Sequence, residues 1–251
     1  MTAAAEPLTA LITGGTRGIG RAVAFKLVAQ GFSRLIINYA RNDGDADETR
    51  AAVERLGAAC SLIRANLMSL DEIDRLRDEL RNFTPRLDIL VHCAALNAFK
   101  PLSEVKPNQW DLVMNVNTRG FLMVAQKAAP MFNRGGSIIA ISSVGAVRVL
   151  PNYGAMGPAK AAMESVIRYL AVELAPLGIR VNGVSAGLVA TASLDRFPNS
   201  AALLEEAVSR TPSGRISTGE DIASVVCFLA SPEASQIRGQ IINVDGGLSL
   251  Y

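Results

Sequence analysis

The chain has 251 residues, 49% hydrophobic and 19% charged, with a net charge of +2 and a pI near 8.5. That is enough for one α/β domain or two small ones, and the charge is too mild for a nucleic-acid or anionic-membrane partner. Cys60, Cys93 and Cys227 match no metal-ligand spacing and no disulfide framework, Met1 to Pro7 has no basic n-region, and no apolar run could cross a bilayer, so a cytoplasmic protein without a metal is expected.

Short apolar runs alternate with longer helical patterns. Leu8–Thr13 predicts a strand that feeds Thr13-Gly14-Gly15-Thr16-Arg17-Gly18-Ile19-Gly20 and a helix over Gly18–Ala29. Glycines there let the backbone turn sharply and approach a pyrophosphate, and the helix start presents free N–H groups and its positive dipole end. The position after a strand, before a helix and at the start of a βαβ unit raises this above a ligand-free tight turn.

The next strand, Leu35–Asn38, leads into Tyr39-Ala40-Arg41. An acid at its end would bind the ribose 2′-hydroxyl of NAD. None stands there, and Arg41 with Arg17 suits the 2′-phosphate of NADP. Either arginine alone reads as a solvated surface charge; the two together predict NADPH.

Helix Asp45–Leu56, strand Ser61–Ala65, helix Leu70–Asn82, strand Ile89–Cys93 and helix Pro107–Phe132 come next. His92, the only histidine, stands at a strand end, where a packing or cofactor-adjacent role is favoured over acid–base work. The strand Ser137–Ile141 ends in Ser142-Ser143, and a helix over Asn152–Ala175 carries Tyr153 and Lys160. Seven positions is close to two turns, so both side chains can project from one helix face. Strand Arg180–Val184, a short helix Ser200–Ser209, helix Glu220–Ala230 and strand Ile241–Val244 complete the pattern.

Strands apolar on both faces and alternating with helices predict a doubly wound parallel α/β sheet of about seven strands, with helices on both faces. No linker or repeat divides residues 1–251, so one domain is expected. The long connection 190–212 is either a substrate lid or a peripheral helical insertion.

The glycine turn, the Ser143–Tyr153–Lys160 set and the closing Arg238-Gly239-Gln240-Ile241-Ile242-Asn243-Val244-Asp245-Gly246-Gly247 resemble the short-chain dehydrogenase/reductase superfamily over nearly the whole chain. Tyr153-Gly154-Ala155-Met156-Gly157-Pro158-Ala159-Lys160, Arg168-Tyr169-Leu170, Phe197-Pro198-Asn199, Leu203-Leu204-Glu205 and Thr211-Pro212-Ser213-Gly214-Arg215 resemble its divergent branch, the NADPH-dependent bacterial enoyl-acyl-carrier-protein reductases. The resemblance implies a Rossmann fold, NADPH, an acyl-carrier-protein or CoA thioester substrate, and either a homodimer built through the helices at Pro107–Phe132 and Asn152–Ala175 or a homotetramer built further through the C-terminal strand. It implies catalytic roles for Tyr153, Lys160, Ser143 and Asn117. Cofactor contacts are implied for Gly14, Thr16, Arg17, Gly18, Ile19, Gly20, Arg41, Asn66, Leu67, Cys93, Ala94, Lys160, Val189 and Thr191.

There are departures. His92-Cys93-Ala94-Ala95 replaces the family's Asn-Asn-Ala-Gly, Ala186-Gly187-Leu188 its Pro-Gly, and Asn66 its aspartate. Ser143 also stands where the best-known enoyl reductases carry a second tyrosine.

In the family's ketone reductases the serine lies seventeen positions before the lysine and the tyrosine four. Here Ser143 and Lys160 keep that interval, but the slot four before Lys160 is Met156, and Tyr153 lies seven before. For a ketone, the oxygen that becomes anionic is one bond from the carbon that receives hydride. For an α,β-unsaturated thioester, hydride lands on the β carbon and charge develops about 2–3 Å further along the conjugated chain. Three places on a helix shift a side chain by about 4.5 Å, a comparable size. Tyr153 would then hydrogen-bond an enolate oxygen, Lys160 hold the nicotinamide ribose, Ser143 touch the substrate oxygen or merely cap a strand, and Asn117 support a water relay. The expected activity is NADPH-dependent enoyl-acyl-carrier-protein reduction. The alternatives are 3-oxoacyl or other carbonyl reduction and a non-catalytic NADPH-binding protein.

Overall fold

The computed structural model describes residues 7–189, 191 and 200–250. Its sheet has seven parallel strands in the order β3-β2-β1-β4-β5-β6-β7. The strands are β1 Leu8–Thr13, β2 Phe32–Tyr39, β3 Ala59–Arg64, β4 Leu87–His92, β5 Phe132–Ser143, β6 Arg180–Ala186 and β7 Ile241–Val244. The helices are α1 Gly18–Ala29, α2 Asp43–Arg55, α3 Leu70–Phe83, α4 Pro107–Met114, α5 Gly120–Ala128, α6 Met156–Glu173, α7 Ser200–Arg210 and α8 Gly219–Ala230.

Alternate strand residues fill two cores, as a sheet covered on both faces requires. Leu11, Ile36, Leu90 and Ile138 pack with Leu76 of α3, Phe121 of α5 and Met163 of α6. Ile12, Ile37, Val91 and Ile139 pack with Leu27 of α1 and Val226 of α8. The strand order reverses between β1 and β4, which opens a crevice at the strand carboxyl ends. Below the sheet, buried Arg180 donates to the carbonyls of Leu229 (2.8 Å), Ala230 (2.9 Å) and Ser231 (3.1 Å), placing a cation at the end of α8. Among the described residues no helix is long and apolar enough to cross a membrane.

Two expected helices differ from the pattern. The one over Pro107–Phe132 is broken by a π turn at Asn115–Arg119, where the Gly120 N–H reaches back to the Asn115 carbonyl, and it closes in a 3₁₀ turn at Ala129–Met131. The Asn117 side-chain amide supplies a donor to the Val113 carbonyl at 2.8 Å inside that widened turn. The helix expected from Asn152 begins at Met156 instead. Asn152 takes a left-handed φ of 57°, and the Gly154 N–H is held by the Lys100 carbonyl at 3.1 Å, so the chain is tied outside the helix. Of the 190–212 connection, residues 190 and 192–199, including Phe197-Pro198-Asn199, lie outside the described residues; its helix is α7.

Candidate functional site

The crevice begins at the β1–α1 turn. Gly14 has φ 63°, and a Cβ there would stand 2.8 Å from the Ala94 backbone, so β1 and the segment after β4 touch through it. Gly18 opens α1 with φ 52°, and Ile19 and Gly20 continue its first turn. Arg17, at the N-cap, makes no side-chain cap, which leaves first-turn N–H groups to a ligand. Thr16 is buried, and its carbonyl accepts the Thr49 hydroxyl at 2.8 Å, tying the turn to α2.

Arg17 and Arg41 are exposed, and neither guanidinium has a hydrogen-bond or ion-pair partner among the described residues. No acid ends β2, but Asp43 follows closely at the start of α2. Its carboxylate accepts the Tyr39 hydroxyl at 2.8 Å and meets Arg64 at 3.4 Å, so its charge is partly answered within the protein. The close backbone approach at Gly14, the uncapped α1 start and two unpaired arginines fit a phosphorylated dinucleotide.

At the end of β4, buried His92 shares a 2.9 Å hydrogen bond with the Thr13 hydroxyl, which also accepts the Ala94 N–H at 3.3 Å. Its Nε2 has no partner among the described residues, and its ring lies 5.3 Å from that of Phe121. Burial, with Lys160 nearby, drives its pKa down to about 3, so it is a neutral packing residue and not an acid–base group. Cys93 is pushed up to about 12 by burial and stays a thiol.

Ser143, Tyr153 and Lys160 converge beside it. Ser143 ends β5; its Oγ accepts the Gly145 N–H at 3.1 Å and is hydrogen-bonded with the Tyr153 hydroxyl. Burial raises the Tyr153 pKa and the Ser143 contact opposes it. Tyr153 stands before α6, not on it, so it does not share a helix face with Lys160 as expected. Its carbonyl still accepts the Gly157 N–H at 2.9 Å, so the chain already spirals toward the helix. Pro158 sits in the first turn of α6, where a missing N–H costs little. Lys160, buried in α6, donates from Nζ to the Ile141 carbonyl at 2.6 Å. Burial lowers its pKa to about 8, and the carboxylate of Glu164 opposes that fall.

The remaining expected residues fall around this centre. The Asn66 Oδ1 accepts the Met68 N–H at 3.1 Å, an Asx turn that leaves its amide nitrogen free to turn outward. Leu67 is buried beneath it. Val189 pairs with Ser217 in an isolated bridge, and the Thr191 methyl lies 3.4 Å from where a Gly18 Cβ would be, so Thr191 stands against the glycine turn. Asn117 is buried and its amide nitrogen donates to the Leu96 and Val113 carbonyls, both at 2.8 Å; its Oδ1 has no partner among the described residues. Met156 is buried among Val113, Ala155 and Ala159.

The sequence reading missed Gly145, Ser142 and Glu164. Buried Ser142 donates to the Glu164 Oε1 at 2.6 Å. Glu164 lies four residues after Lys160 on α6, the one spacing that could have drawn attention to it.

The chain matches the family described as "Enoyl-(Acyl carrier protein) reductase" over residues 14–249. It is 39% identical to 1-cyclohexenylcarbonyl-CoA reductase of Streptomyces collinus, across 96% of this chain and 86% of that one. It is 32% identical to tetrahydroxynaphthalene reductase of Pyricularia oryzae, across 98% and 91%. Among solved structures, a short-chain dehydrogenase from Burkholderia cenocepacia in complex with NADP superposes with a TM-score of 0.89 at 31% identity, covering 96% of this chain and 97% of that one. A fold, a family match and relatives that each span nearly the whole length agree: the chain belongs to the short-chain dehydrogenase/reductase superfamily of NAD(P)-dependent oxidoreductases.

Proposed function

We propose that the protein is an NADPH-dependent 2-enoyl-thioester reductase, acting on an acyl chain carried by CoA or an acyl-carrier protein. The observation that carries this reading is the placement of its acid. Met156, four residues before Lys160, is buried and has no proton to give; the phenol at hand is Tyr153, ahead of α6 and hydrogen-bonded with Ser143. The family description and the Streptomyces relative, named for reducing an enoyl-CoA, support it.

The tyrosine's displacement is not three places on one helix, since Tyr153 precedes the first turn of α6. The acid is instead set back toward the end of β5, against Ser143, which suits an oxygen further from the hydride donor than a ketone's would be.

NADPH, when bound, supplies the hydride. Arg17 and Arg41 would hold its 2′-phosphate and the α1 N-terminus its pyrophosphate. Lys160 would hold the nicotinamide ribose, and its ammonium would lower the cost of negative charge on a nearby oxygen. Tyr153 would hydrogen-bond the thioester oxygen as charge grows there, and burial keeps the phenol neutral and able to donate. Ser143 would orient that phenol. Asn117, its amide already occupied, serves the geometry of the π turn. Helix α7 would cover the acyl chain, and exposed Tyr169 and Val172 on α6 suit a dimer interface.

Carbonyl reduction is the second reading, favoured by the similarity to the hydroxynaphthalene reductase. Steady-state rates with NADPH on crotonyl-CoA and on acetoacetyl-CoA separate the two. Turnover of the enoyl thioester well above the ketone supports the proposal; ketone turnover alone refutes it.

A further inference from the structure

We propose that Glu164 is a positioning residue that holds Lys160 charged and locks the strand end bearing Ser143. The proposal rests on the reading of Lys160 as the cofactor-holding group.

The carboxylate reaches into the fold, away from solvent. Glu164 is 7% exposed and Ser142 3%, and the Ser142 hydroxyl donates to Oε1 at 2.6 Å. One turn earlier on the same helix, Lys160 donates to the Ile141 carbonyl at 2.6 Å. Two successive residues of β5 are thus gripped by two side chains one helical turn apart. The next residue in the strand is Ser143, hydrogen-bonded with Tyr153. From the far side, Thr118 in the π turn donates to the Ala159 carbonyl at 2.8 Å, so the turn of α6 carrying Lys160 is pinned between two elements.

The electrostatics point the same way. Among the described residues, the titratable groups that face Lys160 are Cys93 and His92 at the end of β4 and Glu164 on its own helix; Tyr153 lies on the turn before. Cys93 titrates near 12 and His92 near 3, so both are neutral where Lys160 changes charge. Tyr153 is likewise neutral there, its pKa raised. Glu164 is then the one anion that opposes the burial of the ammonium. A buried carboxylate with a single hydroxyl donor is a costly arrangement, and one that persists without adding to a core needs a charge to answer.

The test is the pH dependence of NADPH affinity, read by energy transfer from Trp110, the only tryptophan, which packs in the cluster with Tyr153 and Met156. This readout needs no turnover and does not depend on which substrate is reduced. In the wild-type protein affinity should fall as pH rises through about 8. In Glu164→Gln, which keeps the acceptor for Ser142 and removes the charge, the midpoint should lie about one pH unit lower. Ser142→Ala keeps the charge and frees the strand end; it should weaken NADPH binding about tenfold with the midpoint unmoved. Should Glu164→Gln fail to fold, as its thermal melt would show, Ser142→Ala still decides, since wild-type affinity in that variant overturns the proposal. A Glu164→Gln titration that overlays a wild-type curve with a midpoint overturns the proposal alone. A wild-type affinity flat through that range overturns the Lys160 reading, and the proposal with it.

Discussion

A Cβ on Gly145 would stand 2.6 Å from two ring carbons of Tyr153, so the phenol lies directly on the Gly145 backbone. The same glycine donates its N–H to the Ser143 Oγ at 3.1 Å. One residue without a side chain therefore sets both the height of the acid and the aim of its hydroxyl partner. Gly145→Ala must push the ring away, because such a contact is far inside van der Waals distance. Turnover should fall by roughly tenfold to a hundredfold, the range for a misplacement near 1 Å. NADPH affinity should stay at the wild-type value, since Gly145 lies away from the glycine turn; stopped-flow rates and a binding titration check the two halves.

Tyr153→Phe keeps the ring on Gly145 and removes only the hydroxyl. If that hydroxyl stabilises the developing oxyanion, turnover should drop by about 10²- to 10³-fold. Cofactor binding should survive. Unchanged turnover in this variant removes Tyr153 from the chemistry.

Arg41→Asp addresses the cofactor. Among the described residues Arg41 has no partner to lose, so the change should leave the melting temperature nearly untouched. A charged hydrogen bond to a 2′-phosphate contributes about 1.5–3 kcal/mol, and the ratio of NADPH to NADH specificity should fall by roughly 10- to 100-fold or more. Equal KM values for the two cofactors in the wild-type protein would contradict the role of both arginines.

Lys160 predicts opposite pH trends for stability and for binding. Burial lowers its pKa from 10.5 to about 8 in the folded chain. Between those values the unfolded chain holds the extra proton, so the stability of the cofactor-free protein should rise with pH through that window. NADPH affinity should fall through the lower part of it, as the ammonium is lost. Denaturant titrations and binding isotherms on the same alkaline buffer series check both signs.

The parts of this fold that announce themselves in the sequence are those set by local chemistry. Leu8–Thr13, Gly18–Ala29 and Ile241–Val244 have the expected bounds, because a continuous apolar run or a glycine turn decides them within a few residues. The parallel sheet with helices on both faces follows from strand–helix alternation and right-handed crossovers, but its strand order does not. What the sequence conceals depends on tertiary contacts. The start of α6 is moved from Asn152 to Met156 by the Gly154 N–H bond to Lys100, more than fifty residues upstream. The π turn at Asn117 has no periodicity signal, since one inserted residue leaves the apolar stripe intact. Glu164 reads as one more charge on a helix until Ser142 is seen against it. At the site, the residue types and their order were legible, while the side-chain partners of Asn117, Asn66 and His92 were not.

The central claim is that hydride goes to a carbon–carbon double bond. It is tested most directly by tracing the label from NADPH deuterated at the transferred position, with crotonyl-CoA and acetoacetyl-CoA offered together. The expected product is butyryl-CoA with deuterium on the β carbon, found by NMR of the isolated thioester. Deuterium found only on the carbinol carbon of 3-hydroxybutyryl-CoA, with crotonyl-CoA recovered unchanged, would contradict the account.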